Sequence, residues 1–243
     1  MVDIHSHILP EVDDGAQSWE MAIHMCQMAA ADGIEHMVAT PHANDEFFYD
    51  RKWLSQLLEE LQQRVGPSPR LYLGCDFHFS YDNLQALEQE PGRFTIGRTS
   101  YLLIELSDFA VPPGIAERIR GLLDSGLRPI LTHPERNPLL QRAPQRVLEW
   151  ADFGCIVQVT ASSFSGRWGE KAQKVSHWLL ERQAVHVLAT DAHNVDGRPP
   201  ILSKARRMVA KAAGEDIAKA LVEDNPLAVV TDKVLSYFPK PDM

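Results

Sequence analysis

Seven short apolar segments recur along the 243 residues of this chain, and each is followed by a segment with helical periodicity. Most of the apolar segments are continuous, as in Tyr101-Leu102-Leu103-Ile104, which is typical of strands that are covered on both faces. Strands that alternate with helices build parallel βα units. No linker-like segment interrupts the series, so the sequence predicts one α/β barrel domain over residues 1–243.

The predicted strands cover residues 2–9, 36–40, 71–75, 101–104, 129–132, 155–160 and 185–190. Ser18 is the predicted N-cap of the first helix, and Asp32-Gly33 ends that helix. Later helices are predicted over 50–64, 82–88, 115–123, 143–151, 170–181, 201–213 and 216–223. From Asn225-Pro226 onwards the sequence predicts only a short tail.

Acids and histidines occupy the carboxyl ends of the predicted strands. In Asp3-Ile4-His5-Ser6-His7 the two histidines lie two positions apart and therefore point from the same face of a strand. Six of the seven strands end in His, Asp or Glu, and in an α/β barrel that rim is where active sites lie. With one acid from the first loop, the candidate metal ligands are His5, His7, Asp14, His42, Asp76, Glu105, His133, Asp191 and His193.

Five imidazoles and four carboxylates at one rim are best explained by bound cations. Carboxylates that converge without a cation repel one another, and burying each one costs several kcal/mol. Nine ligands exceed what one ion needs, so two or three divalent ions are predicted, with Glu105 as the natural bridge between two of them. Any one of these residues alone is equally consistent with an ordinary polar strand end, and only the joint pattern favours a metal centre.

Two arginines follow candidate ligands closely in sequence. Arg136 comes after His133 and Arg198 after His193, so both are expected in rim loops. A guanidinium offers paired donors that suit phosphate oxygens, although either residue alone could be an ordinary surface arginine. Closely spaced metal ions share a hydroxide and stabilise both oxygens of an in-line phosphoryl displacement, so the combination indicates phosphate ester chemistry.

Composition excludes several other classes. A formal charge of −9 leaves no basic excess for a nucleic-acid backbone. No run is long and apolar enough to span a bilayer, and no secretory leader is expected. Cys26, Cys75 and Cys155 are read as reduced core residues of a cytoplasmic protein. None of them has an arginine six positions later, which excludes the phosphate loop of thiol-based phosphatases.

Several short motifs together resemble one superfamily. They are HxH at the start, Asp-Asp-Gly in the first loop, Thr-Pro-His, Leu-Ile-Glu, His-Pro-Glu-Arg and Asp-Ala-His followed by Asp-Gly-Arg-Pro-Pro. This set resembles the PHP (polymerase and histidinol phosphatase) superfamily and, within it, the bacterial CpsB/YwqE-like tyrosine phosphatases of capsule and exopolysaccharide synthesis. The resemblance implies a distorted (β/α)7 TIM-like barrel and a trinuclear site, often of manganese, with iron or zinc as alternatives. The nine ligands would hold the ions, and Arg136 and Arg198 the phosphate.

One position departs from the pattern of that family. Its members usually carry Gly-x-Glu at the third strand, whereas this chain has Gly74-Cys75-Asp76. Aspartate is one methylene shorter, so the ion at Asp76 is expected to shift or to bind more weakly. His78 lies on the same face and could supplement Asp76, or it could be a plain loop histidine.

The sequence therefore predicts a metal-dependent phosphomonoesterase, in which a bridging hydroxide attacks phosphorus without a phosphoenzyme. By resemblance, the substrate would be the phosphotyrosine-rich tail of a membrane-associated bacterial tyrosine kinase. A tyrosyl leaving group has a pKa of about 10 and departs with little proton assistance. The alternatives are a small-molecule phosphatase of the histidinol-phosphate or nucleotide type and a metal-holding binding module without turnover. Comparing the hydrolysis of a phosphotyrosine peptide with that of small phosphate esters distinguishes the tyrosine phosphatase from the small-molecule phosphatase.

Overall fold

Parallel strands alternate with helices throughout the computed structural model, which describes residues 1–243. The strands are β1 Val2–Ser6, β2 His36–Ala39, β3 His42–Ala43, β4 Arg70–Leu73, β5 Asp76–His78, β6 Tyr101–Glu105, β7 Arg128–Thr132, β8 Ile156–Thr160 and β9 Val187–Ala189. The helices are α1 Trp19–Ala31, α2 Arg51–Val65, α3 Tyr81–Gln89, α4 Ile115–Asp124, α5 Gln145–Asp152, α6 Gly169–Glu181, α7 Ser203–Ala213, α8 Glu215–Lys219 and α9 Asn225–Val230.

Short polar side chains start three of these helices. Ser18 accepts a hydrogen bond from the backbone N–H of Met21 at 3.2 Å, which confirms the predicted cap of α1. Asp50 caps α2 and Ser80 caps α3 in the same way. Each cap satisfies backbone donors that the first helical turn leaves unpaired.

The strands form two parallel sheets, with the orders β1-β2-β4 and β3-β5-β6-β7-β8-β9. The predicted strands over 36–40 and 71–75 correspond to β2 and β4. After each of them the chain is interrupted and continues into a short strand of the other sheet, β3 and β5. Pro41 lacks the N–H that a continuous strand would donate. At Gly74 an added Cβ would lie 3.0 to 3.2 Å from the side chains of Val38, Ile96 and Thr40, so a larger residue would have to displace these neighbours by a few tenths of an ångström. The predicted strand over 2–9 is also shorter, ending at Ser6.

The first and last strands of the chain lie side by side. The backbone N–H of Asp191 donates to the carbonyl oxygen of His5 at 2.9 Å, and that of His7 donates to Ala192 at 2.8 Å. An isolated parallel bridge joins Ser6 to Ala192. The residues that follow β9 are therefore fixed against the end of β1.

Apolar side chains cover both faces of the strands. Along β6, Leu102 and Ile104 belong to a cluster of 50 buried residues shared with the helices, whereas Leu103 belongs to a second cluster of 14 residues. This alternation follows the period of a strand. Ile4 and Val187 join Leu103 in the smaller cluster, so residues from both sheets contribute to it.

The predicted C-terminal tail is wrong, because residues from Asn225 onwards form α9. Proline is well tolerated at the first turn of a helix, where Pro226 lies. The side chain of Asn225 donates to the carbonyl oxygens of His186 and Tyr237, at 2.8 and 2.7 Å. Val229 adds to the smaller apolar cluster, so the segment is part of the core. The three cysteines are buried and unpaired, as predicted, and no helix has the length and apolar character needed to cross a membrane.

Candidate metal centre

All nine predicted ligands lie together where the parallel strands end. Each has a side-chain nitrogen or oxygen within 3.6 Å of such an atom in another member of the set. His5 and His7 face each other with 3.4 Å between their Nε2 atoms, as their spacing on a strand predicts. His42 begins β3 and Asp76 begins β5, so the interrupted strands place both side chains at this rim.

Within this set, three groups of donor atoms are compact enough for a cation. In each group the ligand atoms all lie within 4.8 Å of one another. The groups are His7, Asp14, His42 and His193; His5, His7 and Asp76; and His42, Asp76 and Glu105. Shared members link the groups, so the arrangement can hold neighbouring ions. His133 and Asp191 lie just outside these groups, His133 at 3.6 Å from Glu105 and Asp191 at 3.4 Å from His5.

Asp76 provides the test of whether these residues fit a cation. Its side chain is fully buried, and neither carboxylate oxygen has a hydrogen-bond partner. Burial alone would raise the pKa of Asp76, but the neighbouring His5 and His42 outweigh burial and hold that pKa well below its ordinary value. A buried, ionised carboxylate without donors requires a cation. The residues therefore fit divalent metal ions.

His42 shows how the same charges act on an imidazole. Burial lowers the pKa of His42, whereas the nearby carboxylates of Asp14 and Asp76 raise it, and the net result is a pKa of about 11. His42 Nε2 lies 3.4 Å from Asp14, and its Nδ1 lies 3.3 Å from Asp76. In the metal-free chain a proton on His42 thus supplies the positive charge that the carboxylates attract, and metal binding would displace it.

Arg136 and Arg198 lie beside this cluster and contact the same atom. Both guanidinium groups donate to the Oδ2 oxygen of Asp191, Arg198 through its Nη2 at 2.6 Å. The Oδ1 oxygen of Asp191 faces His5 and His7 instead. Asp191 therefore stands between the imidazoles and the two arginines.

Sequence comparison places this arrangement in a family. A family model described as capsular polysaccharide synthesis, CpsB/CapC, matches residues 1–231. The chain belongs to the CpsB/CapC family. The match includes all nine candidate ligands and both arginines.

Relatives of this family resemble the chain over most of its length. CpsB of Streptococcus pneumoniae, a tyrosine-protein phosphatase by name, is 32% identical over 88% of this chain and 91% of its own length. YwqE of Bacillus subtilis, with the same designation, is 29% identical over 89% of this chain and 87% of its own length. A solved structure from work on these two proteins, described as unique metal-dependent tyrosine phosphatases, superposes with a TM-score of 0.91 at 27% identity and covers 99% of both chains.

In this CpsB/CapC member, two further polar residues orient the candidate histidine ligands. The Nδ1 nitrogen of His7 lies 2.7 Å from the carboxylate of buried Asp13, and the Nδ1 nitrogen of His5 lies 3.0 Å from Oε1 of Gln158. Partners of this kind fix the ring so that Nε2 faces the metal. The sequence prediction named neither residue. The position of Asp13 beside Asp14 could have indicated a role in the site, whereas nothing in the sequence around Gln158 indicates one.

Glu105 and His78 lie on adjacent strands in register. One carboxylate oxygen of Glu105 is 3.8 Å from Nδ1 of His42, and the other is 3.6 Å from Nε2 of His133. The two oxygens thus face different histidines, and the bridging role stays a prediction. His78 lies 3.6 Å from Glu105, and this contact raises the pKa of His78. Its part as a supplementary ligand also stays a prediction.

A cavity of about 190 Å³ opens beside the cluster. Its walls are Glu105, Asp108, His133, Arg136 and Trp168. Trp168 was not predicted to take part in the site, although it lies in the loop that precedes α6. The cavity joins candidate ligands to one of the arginines, so a molecule bound there would contact both.

Proposed function

We propose that this chain is a metal-dependent phosphomonoesterase that hydrolyses phosphotyrosine in proteins. The observation that carries the proposal is the buried carboxylate of Asp76, which has no donor of its own and lies within 3.5 Å of His5 and His42. Such a group is explained by a divalent cation, and the relatives of similar length are tyrosine-protein phosphatases by name. Membership of the CpsB/CapC family supports a role in capsule or exopolysaccharide synthesis.

We further infer that the two sheets form one distorted seven-stranded barrel. β2 leads into β3 and β4 into β5 after breaks of two residues, so the nine strands are equivalent to seven. Hydrogen bonds between the ends of β1 and β9 connect the outer edges of the two sheets. The candidate ligands then lie at the carboxyl rim, where barrels of this type bind substrates.

The three donor groups support two or three divalent ions, of which we expect manganese, with iron or zinc as alternatives. When bound, such ions polarise phosphoryl oxygens and make water nucleophilic at neutral pH. A proton on His42 would compete with a bound ion for this imidazole. Asp13 and Gln158 hold His7 and His5 in the ring orientation that binding requires.

Arg136 and Arg198 are proposed to bind the phosphoryl group. Their donors already converge on one carboxylate oxygen of Asp191, so they can converge equally on an oxygen of phosphate. The tyrosyl group would leave with little proton assistance, because its pKa is about 10. The cavity beside Trp168 is the space from which the ester would approach.

The substrate that we propose is the phosphotyrosine-rich tail of a membrane-associated tyrosine kinase. We propose that this chain binds the tail in the cytoplasm. An extended, disordered tail can reach a rim site without rearrangement of either protein. The formal charge of −9 argues against a nucleic-acid substrate.

The test combines metal content with turnover. The purified protein should hold two or three ions per chain and hydrolyse a phosphotyrosine peptide, lose this activity to a chelator and regain it with Mn²⁺. Asp76→Asn should lower both the metal content and the activity, whereas the control Asp196→Asn, at an exposed loop position, should lower neither. Turnover of histidinol phosphate or a nucleotide without turnover of the peptide would favour the small-molecule alternative. Absence of both metal and turnover would overturn the proposal.

A further inference from the structure

Trp168 lies against both arginines of the candidate site. The guanidinium carbon of Arg136 is 3.7 Å from the centroid of the Trp168 ring, and that of Arg198 is 5.0 Å from it. A guanidinium over an indole face is attracted by the negative charge of the ring's π system. One indole thus contacts two side chains that also share a carboxylate.

We propose that Trp168 is a positioning residue that keeps Arg136 and Arg198 side by side for a phosphoryl group. This inference rests on the proposed phosphatase function. Trp168 would not react itself, and its contribution would be to the geometry and affinity of phosphate binding.

Arg136 and Arg198 need a further contact because both carry a positive charge. Two guanidinium groups in contact with one oxygen of Asp191 repel each other. The other oxygen of Asp191 faces His5 and His7, so cations at the imidazoles would compete with the arginines for that carboxylate. The face of Trp168 attracts the arginines whether or not Asp191 is engaged elsewhere.

The indole is itself held in place. Its Nε1–H donates to the hydroxyl of Ser162 at 2.9 Å, and Ser162 belongs to the turn Ala161–Ser165 that directly follows β8. Gly166 and Gly169 flank the tryptophan with φ values of 80° and 89°, which favour glycine. This tight loop connects β8 to α6 and fixes the ring at the rim.

Trp168 also lines the cavity that holds Glu105, His133 and Arg136. Its ring is therefore placed where a phosphoryl group and its ester would lie.

Binding of inorganic phosphate to the Mn²⁺-loaded protein tests the proposal without turnover. Trp168→Leu keeps apolar volume but removes the π face, and it should weaken phosphate binding about 3- to 30-fold by calorimetry. Trp168→Phe restores a π face and should bind within about 3-fold of the wild type. Ser162→Ala should give an intermediate loss, because the ring keeps its face but loses its anchor.

The matched control is Trp19 of α1, which stacks with Arg64 of α2 at 4.1 Å. Trp19→Leu should leave phosphate affinity unchanged. Melting temperatures show which of the variants fold. If Trp168→Leu does not fold, the phosphate affinities of Trp168→Phe and Ser162→Ala still test the inference.

Phosphate affinity of Trp168→Leu equal to that of the wild type would overturn the inference and leave the phosphatase proposal intact. A wild type that binds phosphate but does not hydrolyse phosphotyrosine would overturn the proposed function, and the same binding series would still decide the role of Trp168. A wild type that binds no phosphate would overturn both.

Discussion

The Nδ1 nitrogen of His7 lies 2.7 Å from the Oδ2 oxygen of Asp13, and that same oxygen accepts the backbone N–H of His42 at 3.2 Å. One buried carboxylate therefore holds two candidate ligands from different strands. Burial would raise the pKa of Asp13, but the charge of His7 outweighs burial and lowers it. Asp13 is thus an ionised anchor behind the site.

Replacing this anchor should weaken metal binding without removing a ligand. Asp13→Asn keeps the side-chain shape but loses the charge that orients His7, and we expect a 10- to 100-fold loss of metal affinity or activity. Competition with a chelator of known affinity measures the change. Glu11→Gln, exposed in the same loop, is the control and should bind metal like the wild type. Unchanged affinity in Asp13→Asn would show that His7 is oriented by other contacts.

Gly15 closes the loop that carries Asp13 and Asp14. An added Cβ would lie 2.1 Å from the carbonyl oxygen of His7 and 2.4 Å from its Cβ, so Gly15→Ala must push the loop away from the histidine. We expect a lower melting temperature and a smaller rise of that temperature on adding Mn²⁺. Gly121→Ala, on α4 with nothing within 4 Å, should instead stabilise the fold by roughly 0.5–1 kcal/mol. An equal response of the two variants to Mn²⁺ would contradict the prediction.

The planar shape of the Arg198 guanidinium should affect substrate binding more than its charge does. Arg198→Lys keeps the positive charge but loses the planar pair of donors, one of which reaches Asp191 at 2.6 Å. We expect about a tenfold or greater rise in KM for a phosphotyrosine peptide. Arg207→Lys, exposed on α7, should leave KM unchanged. A KM near that of the wild type in Arg198→Lys would argue for a purely electrostatic role.

His186 should make stability depend on pH. The ring is buried, its Nδ1 accepts the backbone N–H of Val157 at 3.0 Å, and it stacks on Phe238. Burial lowers the pKa of His186 from 6.5 to about 3. Below pH 6.5 the unfolded chain binds a proton here and the folded chain does not, so the free energy of unfolding falls as the pH drops towards 3.

The size of this effect is about 2 kcal/mol between pH 6.5 and pH 5. His186→Asn keeps an acceptor for Val157 and removes the titration, so its unfolding free energy should fall less between pH 7 and pH 5. Urea unfolding of chelator-treated protein measures this without a contribution from metal release. His24→Asn, exposed on α1, should keep the wild-type dependence. The same pH dependence in His186→Asn would mean that other groups account for it.

The strand ends were the part of the structure that sequence could predict. His5 and His7 share a face because a strand has a period of two residues, and the same rule places Glu105 at the end of β6. The rule is local, so it holds whatever the neighbouring strands do. The ends of the predicted strands indicated eight of the nine candidate ligands without any knowledge of their partners, and Asp14 came from the first loop.

Contacts between distant segments could not be predicted in this way. Gln158 lies 153 positions from His5, and its hydrogen bond depends on how β8 packs near β1. Asp13 and Asp14 are neighbours in one short loop, and only the path of the backbone decides which of them faces His7. The break at Gly74 also depends on crowding by other segments. The helix α9 likewise depends on distant contacts, because its apolar residues find partners only in the folded core.

His5 and Asp191 are 3.4 Å apart, although nearly the whole chain separates them. During synthesis on a ribosome, His5 emerges 186 residues before Asp191. A nascent or truncated polypeptide therefore has only part of the coordination sphere. Metal occupancy would then be a sign that translation has passed Asp191 and that the segments carrying His5 and Asp191 have met.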